Sequence, residues 1–195
     1  QSTLYWRVLT MELFDGKTWS VHPSRQEPDN YFKPKAAEPD QQYLSYDIIA
    51  EPTQQAWLYA LNNSVSPTPQ VFNSLDQRLV SKNQIKQRMK YQVVQNQLQP
   101  LQSIFDWERN LNQRLDPELH PQTRTLSNNL WKMAASATRA EQIRRYSYLL
   151  LSYFNQQGFQ YSLTPQRLSG DHIDDFLFNK KVGFCAHFAS AFTVM

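Results

Sequence analysis

The chain has 195 residues, of which 41% are hydrophobic and 13% aromatic, and its formal net charge at pH 7 is +3. This composition excludes an intrinsically disordered chain, and the length allows one large domain or two small ones. The weak positive charge gives no argument for a nucleic-acid partner, and no apolar stretch reaches the ~18 residues of a transmembrane helix. The single cysteine excludes an internal disulfide and a cysteine-rich zinc site.

The first residues show the pattern of two strands joined by a tight turn. Residues 4–14 are rich in β-forming side chains, Asp15-Gly16 is a strong hairpin signal, and residues 18–21 resume the strand pattern. A long loop with several prolines follows, which permits neither a helix nor a central strand. The sequence therefore predicts an N-terminal β-hairpin.

Further strands are predicted at residues 43–49 and 56–61. Residues 78–94 show alternating apolar and polar side chains with a period of two, as in a strand with one buried and one exposed face. The apolar positions are Ile85, Met89, Tyr91 and Val93, and the nearby basic residues are Arg78, Lys82, Lys86, Arg88 and Lys90. We therefore expect the first hundred residues to form an antiparallel β module.

The basic face of this module has two interpretations. It has the charge to meet anionic lipid headgroups or an acidic cell-wall polymer. It is also typical of a solvated sheet face whose lysines discourage pairing between sheet edges, and we favour this second interpretation.

The periodicity becomes helical after Pro121. One helix is marked by Leu126, Leu130, Met133 and Ala137. Thr138 and Glu141 form a capping box that opens a second helix, and Gly158 is the residue expected just past its end. The elements predicted next are a short strand at residues 159–163 and a short capped helix or turn at residues 171–178.

The one cysteine of the chain, Cys185, opens an apolar segment. Apolar or small residues recur at helical spacing at Phe188, Ala189 and Phe192. A thiol in the first helical turn faces unsatisfied backbone N–H groups and the positive end of the helix dipole, which favour the thiolate. We therefore predict that Cys185 is an activated nucleophile and that Gly183 leaves room for a substrate backbone. The alternative is a buried structural cysteine.

None of the four histidines is assigned as the base for this thiol. His187 lies two positions after Cys185, about 200° around a helix of 3.6 residues per turn, so its imidazole is expected to point away from the sulfur. His22 and His120 stand next to prolines and are typical of loop residues. His172 could approach the thiol only through the tertiary fold.

Three acids before the cysteine have a superficial likeness to a metal site: Asp171, Asp174 and Asp175. Their spacing lacks the alternating ligands and the glycine of a calcium loop. An aspartate followed by another acid three residues later suits the start of a helix. We predict a helix cap at Asp171, and neither a metal nor a cofactor.

Several segments together resemble the transglutaminase-like proteins of the TgpA type, a bacterial family of inner-membrane proteins. The segments that carry the resemblance are residues 5–7, 14–19, 120–124, 159–165, 174–178 and 183–192. The resemblance implies an α+β fold, with an antiparallel β-rich region over residues 1–120. It implies that residues 121–195 are the N-terminal helical part of a papain-like transglutaminase core.

The resemblance also implies a function. Cys185 matches the nucleophile of a Cys-His-Asp acyltransferase, and its His and Asp partners are expected after Met195. We therefore expect the chain to be part of a longer, membrane-anchored protein at the periplasmic face of the inner membrane, and to be inactive alone. The implied substrate is a protein or a peptidoglycan peptide. A thiol peptidase or amidase, and a non-catalytic cell-envelope binding module, are the alternatives.

Overall fold

The computed structural model describes residues 6–34, 44–95 and 106–195. The chain folds as two compact units. The first contains the described residues up to Leu13 and from Trp19 to Gln113, and the second contains Phe14–Thr18 and Arg114–Met195. In these described ranges no helix has both the length and the apolar character needed to cross a bilayer.

Short antiparallel pairs make up the N-terminal half. The strands are β1 (Trp6–Arg7), β2 (Leu13–Phe14), β3 (Trp19–Ser20), β4 (Leu44–Ala50), β5 (Ala60–Leu61), β6 (Ser64–Val65), β7 (Val71–Asn73), β8 (Leu79–Ser81) and β9 (Met89–Gln95). β9 pairs along its length with β4 and at its end with β6, β1 pairs with β5, and β7 pairs with β8. β2 and β3 form the predicted hairpin. Two 3-10 turns, Pro23–Arg25 and Pro28–Asn30, and helix α1 (Asp106–Asn112) complete the described elements.

The alternation predicted for β9 is confirmed. Tyr91 and Val93 are almost fully buried in the core of the first unit, whereas Lys90 is exposed. The exposed cations are balanced across the sheet, because Lys90 pairs with Asp47 and Arg88 with Glu51 on the β4 side. This arrangement agrees with a solvated sheet face.

Arg78 does not belong to that face. Its side chain is buried and pairs with Asp76, so the prediction that it is an exposed basic residue is wrong. The reason is that Arg78 precedes a different strand, β8, all of whose residues are buried.

The second unit is mainly helical. Its elements are α2 (Pro121–Met133), α3 (Arg139–Gln156), β10 (Gln160–Tyr161), α4 (His172–Asp174), β11 (Val182–Gly183) and α5 (Cys185–Val194), with a π-helix at Asp175–Lys180 that continues α4. The cap predicted for α3 is confirmed, since the Thr138 hydroxyl accepts the N–H of Glu141 at 3.2 Å. Gly158 follows α3 with a positive φ of 74°, as expected after a helix end. The mixed α+β organisation is therefore as predicted.

The face predicted for α2 is only partly correct. The helix ends at Met133, so Ala137 lies beyond it, and Met133 is 67% exposed. Thr123 within the helix and Ala134 directly after it are buried, and Leu126 and Leu130 are half-buried. Polar groups hold the N-terminus of the helix.

A buried polar network joins the starts of α2 and α4. His120, predicted to be a loop residue, is instead fully buried with a left-handed backbone, and its Nδ1 and Asp171 Oδ1 are 2.6 Å apart. The N–H of His120 donates to the other oxygen of Asp171 at 2.8 Å. Asp171 also accepts the N–H of Asp174, which confirms the predicted helix cap.

Asp174 caps the neighbouring helix. Its carboxylate accepts the N–H groups of Gln122 and Thr123, at 3.0 and 2.9 Å, and the Thr123 hydroxyl at 2.6 Å. These bonds satisfy donors in the first turn of α2 that have no partner within the helix. Asp171 and Asp174 are thus committed to helix ends.

Replacing Asp174 by alanine is expected to lower the free energy of unfolding by about 3 kcal/mol, because it leaves buried donors of α2 without an acceptor. Urea denaturation measures the change. Glu118→Ala, at an exposed position, is the control and is expected to change it by less than about 0.5 kcal/mol. Equal stability of the two variants would contradict the capping role.

The pH dependence of the free energy of unfolding tests the contribution of the Asp171 carboxylate and its hydrogen bonds to stability. Burial raises the pKa of this carboxyl, but hydrogen bonds from His120 and Asp174 outweigh burial and hold the pKa below the ordinary aspartate value. Near pH 4 the unfolded chain therefore binds more protons than the folded protein, so stability falls as the pH drops below about 4. Asp171→Asn is expected to be less stable at pH 7 and to lose less stability on acidification. Glu118→Gln should keep the parent profile.

Candidate active site

Cys185 is the first residue of α5, and its side chain is exposed in this chain. The N–H groups of Cys185 and Ala186 have no intrahelical acceptor, because they lie in the first turn. The thiol therefore lies at the positive end of the helix, in the position that the sequence predicts. The alternative prediction, a buried structural cysteine, would require residues outside the described ranges to pack over the thiol.

His187 fixes the residue before the thiol. Its Nδ1 accepts the backbone N–H of Phe184 at 3.2 Å, so the proton of the neutral ring lies on Nε2. The ring also contacts Phe184 and Phe176, with centroids 4.3 and 5.6 Å away. Burial lowers the pKa of His187, and nearby His172 acts in the same direction. The prediction that His187 is a packed, hydrogen-bonded residue is confirmed.

Gly183 is needed for internal packing. A Cβ built on it would lie 2.8 Å from Cβ of His187 and 2.9 Å from Cε2 of Phe176, closer than real contacts allow. The residue is buried in β11, and its φ is outside the left-handed region. The prediction that Gly183 leaves room for a substrate backbone is wrong, because side chains of the protein itself, His187 and Phe176, fill the space where its Cβ would lie.

Phe176 is the centre of the aromatic cluster beneath the start of α5. It is 1% exposed, and the rings of Phe159 and Phe188 pack around it with centroids 5.4 and 5.1 Å away. It lies on the π-helix, whose first residue, Asp175, accepts the N–H of Ser169. Hydrogen bonds from Asn179 and Ser169 lower the pKa of Asp175. The π-helix thus contacts α5 through Phe176 and the loop that contains Ser169 through Asp175.

Two cavities of the second unit reach the residues next to the thiol. A cleft of about 610 Å³ is lined by Lys17, by residues 163–170, and by His172, Phe184 and His187. A smaller pocket of about 150 Å³ shares the lysine and both histidines with the cleft. Its apolar lining includes Phe14, Leu168, Ile173, Phe176 and Ala186.

Sequence reasoning missed Phe14 and Lys17 as parts of this site. They stand on the tip of the β2–β3 hairpin, roughly 170 positions before the cysteine, and the tip belongs to the second unit. Only the tertiary fold brings this tip to the site. His172, which required the tertiary fold to approach, lines both cavities.

Comparison with known proteins gives consistent matches. Residues 1–102 match the family described as TgpA N-terminal domain. A protein-glutamine gamma-glutamyltransferase of Pseudomonas aeruginosa is 36% identical over 191 residues, which are 96% of this chain and 27% of that protein. The chain therefore spans about a quarter of the length of this curated relative.

Two crystal structures of the periplasmic domain of TgpA from Pseudomonas aeruginosa, one bound to ethylmercury, also resemble the chain. Both give a TM-score of 0.80 at 33% identity and cover 97% of this chain, and 64% and 63% of theirs. These likenesses confirm the predicted α+β fold and the predicted periplasmic location.

Gly183→Ala tests the packing beneath the thiol. We expect it to lower the free energy of unfolding by about 1–3 kcal/mol, because the added methyl group overpacks a filled site. Phe176→Leu removes one of the clashing atoms, so the double variant is expected to lose less than the sum of the single changes. Urea denaturation of the four proteins measures this coupling. Additive losses would show that the two residues are independent.

Proposed function

Because the chain belongs to the TgpA N-terminal domain family, we propose that it is part of a transglutaminase-like thiol acyltransferase whose nucleophile is Cys185. The observation that carries the proposal is an exposed thiol at the first residue of a helix. The name of the Pseudomonas relative, protein-glutamine gamma-glutamyltransferase, supports the reaction class.

The proposed reaction proceeds through a thioester. The thiolate of Cys185 attacks the carbonyl carbon of a glutamine carboxamide, the C–N bond breaks, and ammonia leaves after it takes up a proton. An amine then attacks the thioester, which forms a new amide and returns the thiol. If water attacks instead, the product is a carboxylate.

The backbone before and at the thiol has a defined role in this proposal. The N–H of Cys185 is free of intrahelical bonds and is suited to stabilise the oxyanion of the tetrahedral intermediate. His187 accepts the N–H of Phe184, and its own N–H donates to the Phe184 carbonyl at 2.9 Å, which lies in the same peptide group as the Cys185 N–H. His187 is therefore a positioning residue in the proposed mechanism.

The general base is proposed to come from sequence after Met195. Nδ1 of His187 is already occupied by an N–H donor, which argues against that histidine as the partner of Cys185. In the complete protein we propose a papain-like core that supplies a histidine and an aspartate to the thiol. The protein would be anchored in the inner membrane, act on proteins or peptidoglycan peptides, and need no cofactor.

Amine incorporation tests the proposal. Full-length protein is incubated with casein and dansylcadaverine, and incorporated fluorescence is measured. Cys185→Ala is expected to lower the rate by roughly 10³-fold or more, because it removes the nucleophile. Thr193→Ala, an exposed change on the same helix, is the matched control and should keep the parent rate.

The outcomes separate the proposed activity from its alternatives. Ammonia release that depends on Cys185 without amine incorporation would identify an amidase, and cleavage of casein would identify a peptidase. Amine incorporation that persists in Cys185→Ala would overturn the role of the thiol. An inert full-length protein whose Cys185 reacts slowly with iodoacetamide near pH 7 would favour a non-catalytic envelope module.

A further inference from the structure

The cleft beside α5 has a positive lining. Lys17 and Arg167 both line it and are both exposed, and among its described lining residues there is no aspartate or glutamate. Within residues 6–34, 44–95 and 106–195, neither cation takes part in an ion pair. Two cations without an ion pair thus line the same cleft, and the Asp15 carboxylate interacts electrostatically with Lys17.

The acids nearest in sequence to these cations are committed elsewhere. Asp15 accepts the backbone N–H groups of Lys17 and Thr18, at 2.8 and 2.6 Å. Asp171 is bonded to buried His120. The carboxylate of Asp175 accepts from Ser169 and Asn179. Their hydrogen bonds hold these carboxylates at turns and helices, and none of the three residues is among the described lining residues of the cleft.

The apolar pocket adjoins this cationic space. Its volume of about 150 Å³ is comparable to cavities that hold a benzene-sized group, so it has room for one aliphatic side chain. The pocket shares Lys17 with the cleft. A ligand that occupies both cavities would therefore need a negative group and an apolar group close together.

Both cavities reach residues that are adjacent to Cys185 in the chain. Phe184 lines the cleft and Ala186 lines the pocket, and these two residues flank Cys185 in the sequence. Leu163, on the cleft wall, is 77% exposed and offers an apolar contact to a bound chain. Cys185 itself is not among the described lining residues of either cavity, so a peptide that lies along them would bind beside the residues that flank the thiol.

We propose that this cleft and pocket bind an acidic segment of the peptide substrate, with a carboxylate side chain near Lys17 and Arg167 and an adjacent aliphatic side chain in the pocket. The inference rests on the proposed function, because it assigns the substrate class of the Cys185 site. Charge complementarity of this kind selects partners and adds modestly to affinity.

Peptide binding by full-length Cys185→Ala protein tests the proposal without turnover. The probes are rhodamine-labelled, C-terminally amidated Glu-Leu-Gln-Gly and its neutral counterpart Ala-Leu-Gln-Gly, and fluorescence anisotropy gives their affinities. At low salt we expect the acidic peptide to bind about five- to tenfold more tightly. This advantage should shrink as salt is added, because surface charges are screened.

Substitution of Lys17 and Arg167 tests whether these two cations cause the preference for the acidic peptide. Adding Lys17→Ala and Arg167→Ala should abolish the preference for the acidic peptide. Adding Lys132→Ala and Arg114→Ala removes the same charge from exposed positions outside the cleft and should leave the preference intact. Charge reversal, Lys17→Glu with Arg167→Glu, should create a preference for Lys-Leu-Gln-Gly.

A second comparison examines the pocket. Ala186→Leu narrows the pocket and should remove the difference in affinity between Glu-Leu-Gln-Gly and Glu-Ala-Gln-Gly.

Equal affinities for the acidic and neutral peptides, or an equal effect of the cleft and control variants, would overturn the proposal. Charge selectivity without acyl transfer in the parent protein would contradict only the proposed function, and acyl transfer without charge selectivity would contradict only this inference.

Discussion

The close packing of Phe176, Gly183 and His187 is the constraint on which the rest of the site depends. The space above Gly183 is filled by the other two side chains, so β11 must pass close to the π-helix before α5 begins. His187 then returns to hold the N–H of Phe184. Cys185 follows this packed segment as the first residue of α5, and its side chain is exposed.

Local signals in the sequence were sufficient for the elements that carry the site. The turn at Asp15-Gly16, the cap at Thr138, the helix end at Gly158 and the helix that opens at Cys185 each depend on residues within a few positions of one another. Backbone preferences and capping bonds act over this range, so these elements could be predicted without the tertiary fold.

Contacts between distant segments could not be predicted in the same way. His120 has prolines nearby in sequence, which is typical of a loop. In the structure it is instead buried and hydrogen-bonded to Asp171, 51 positions later in the chain. Asp174 has a cap-like spacing to Asp171, but its own carboxylate caps a different helix. Lys17 belongs to a hairpin that carries no sign of the helical unit it joins. In each case the deciding partner is fixed by tertiary packing, which periodicity and spacing do not report.

The account as a whole requires Cys185 to form the acyl intermediate, and mass spectrometry of the full-length protein tests this most directly. The protein is mixed with a glutamine peptide, quenched in acid within the first turnover and digested. We predict that the Cys185 fragment gains the mass of the peptide less ammonia, and that hydroxylamine removes this adduct. Turnover with an unmodified Cys185 fragment, or an adduct on another residue, would contradict the account.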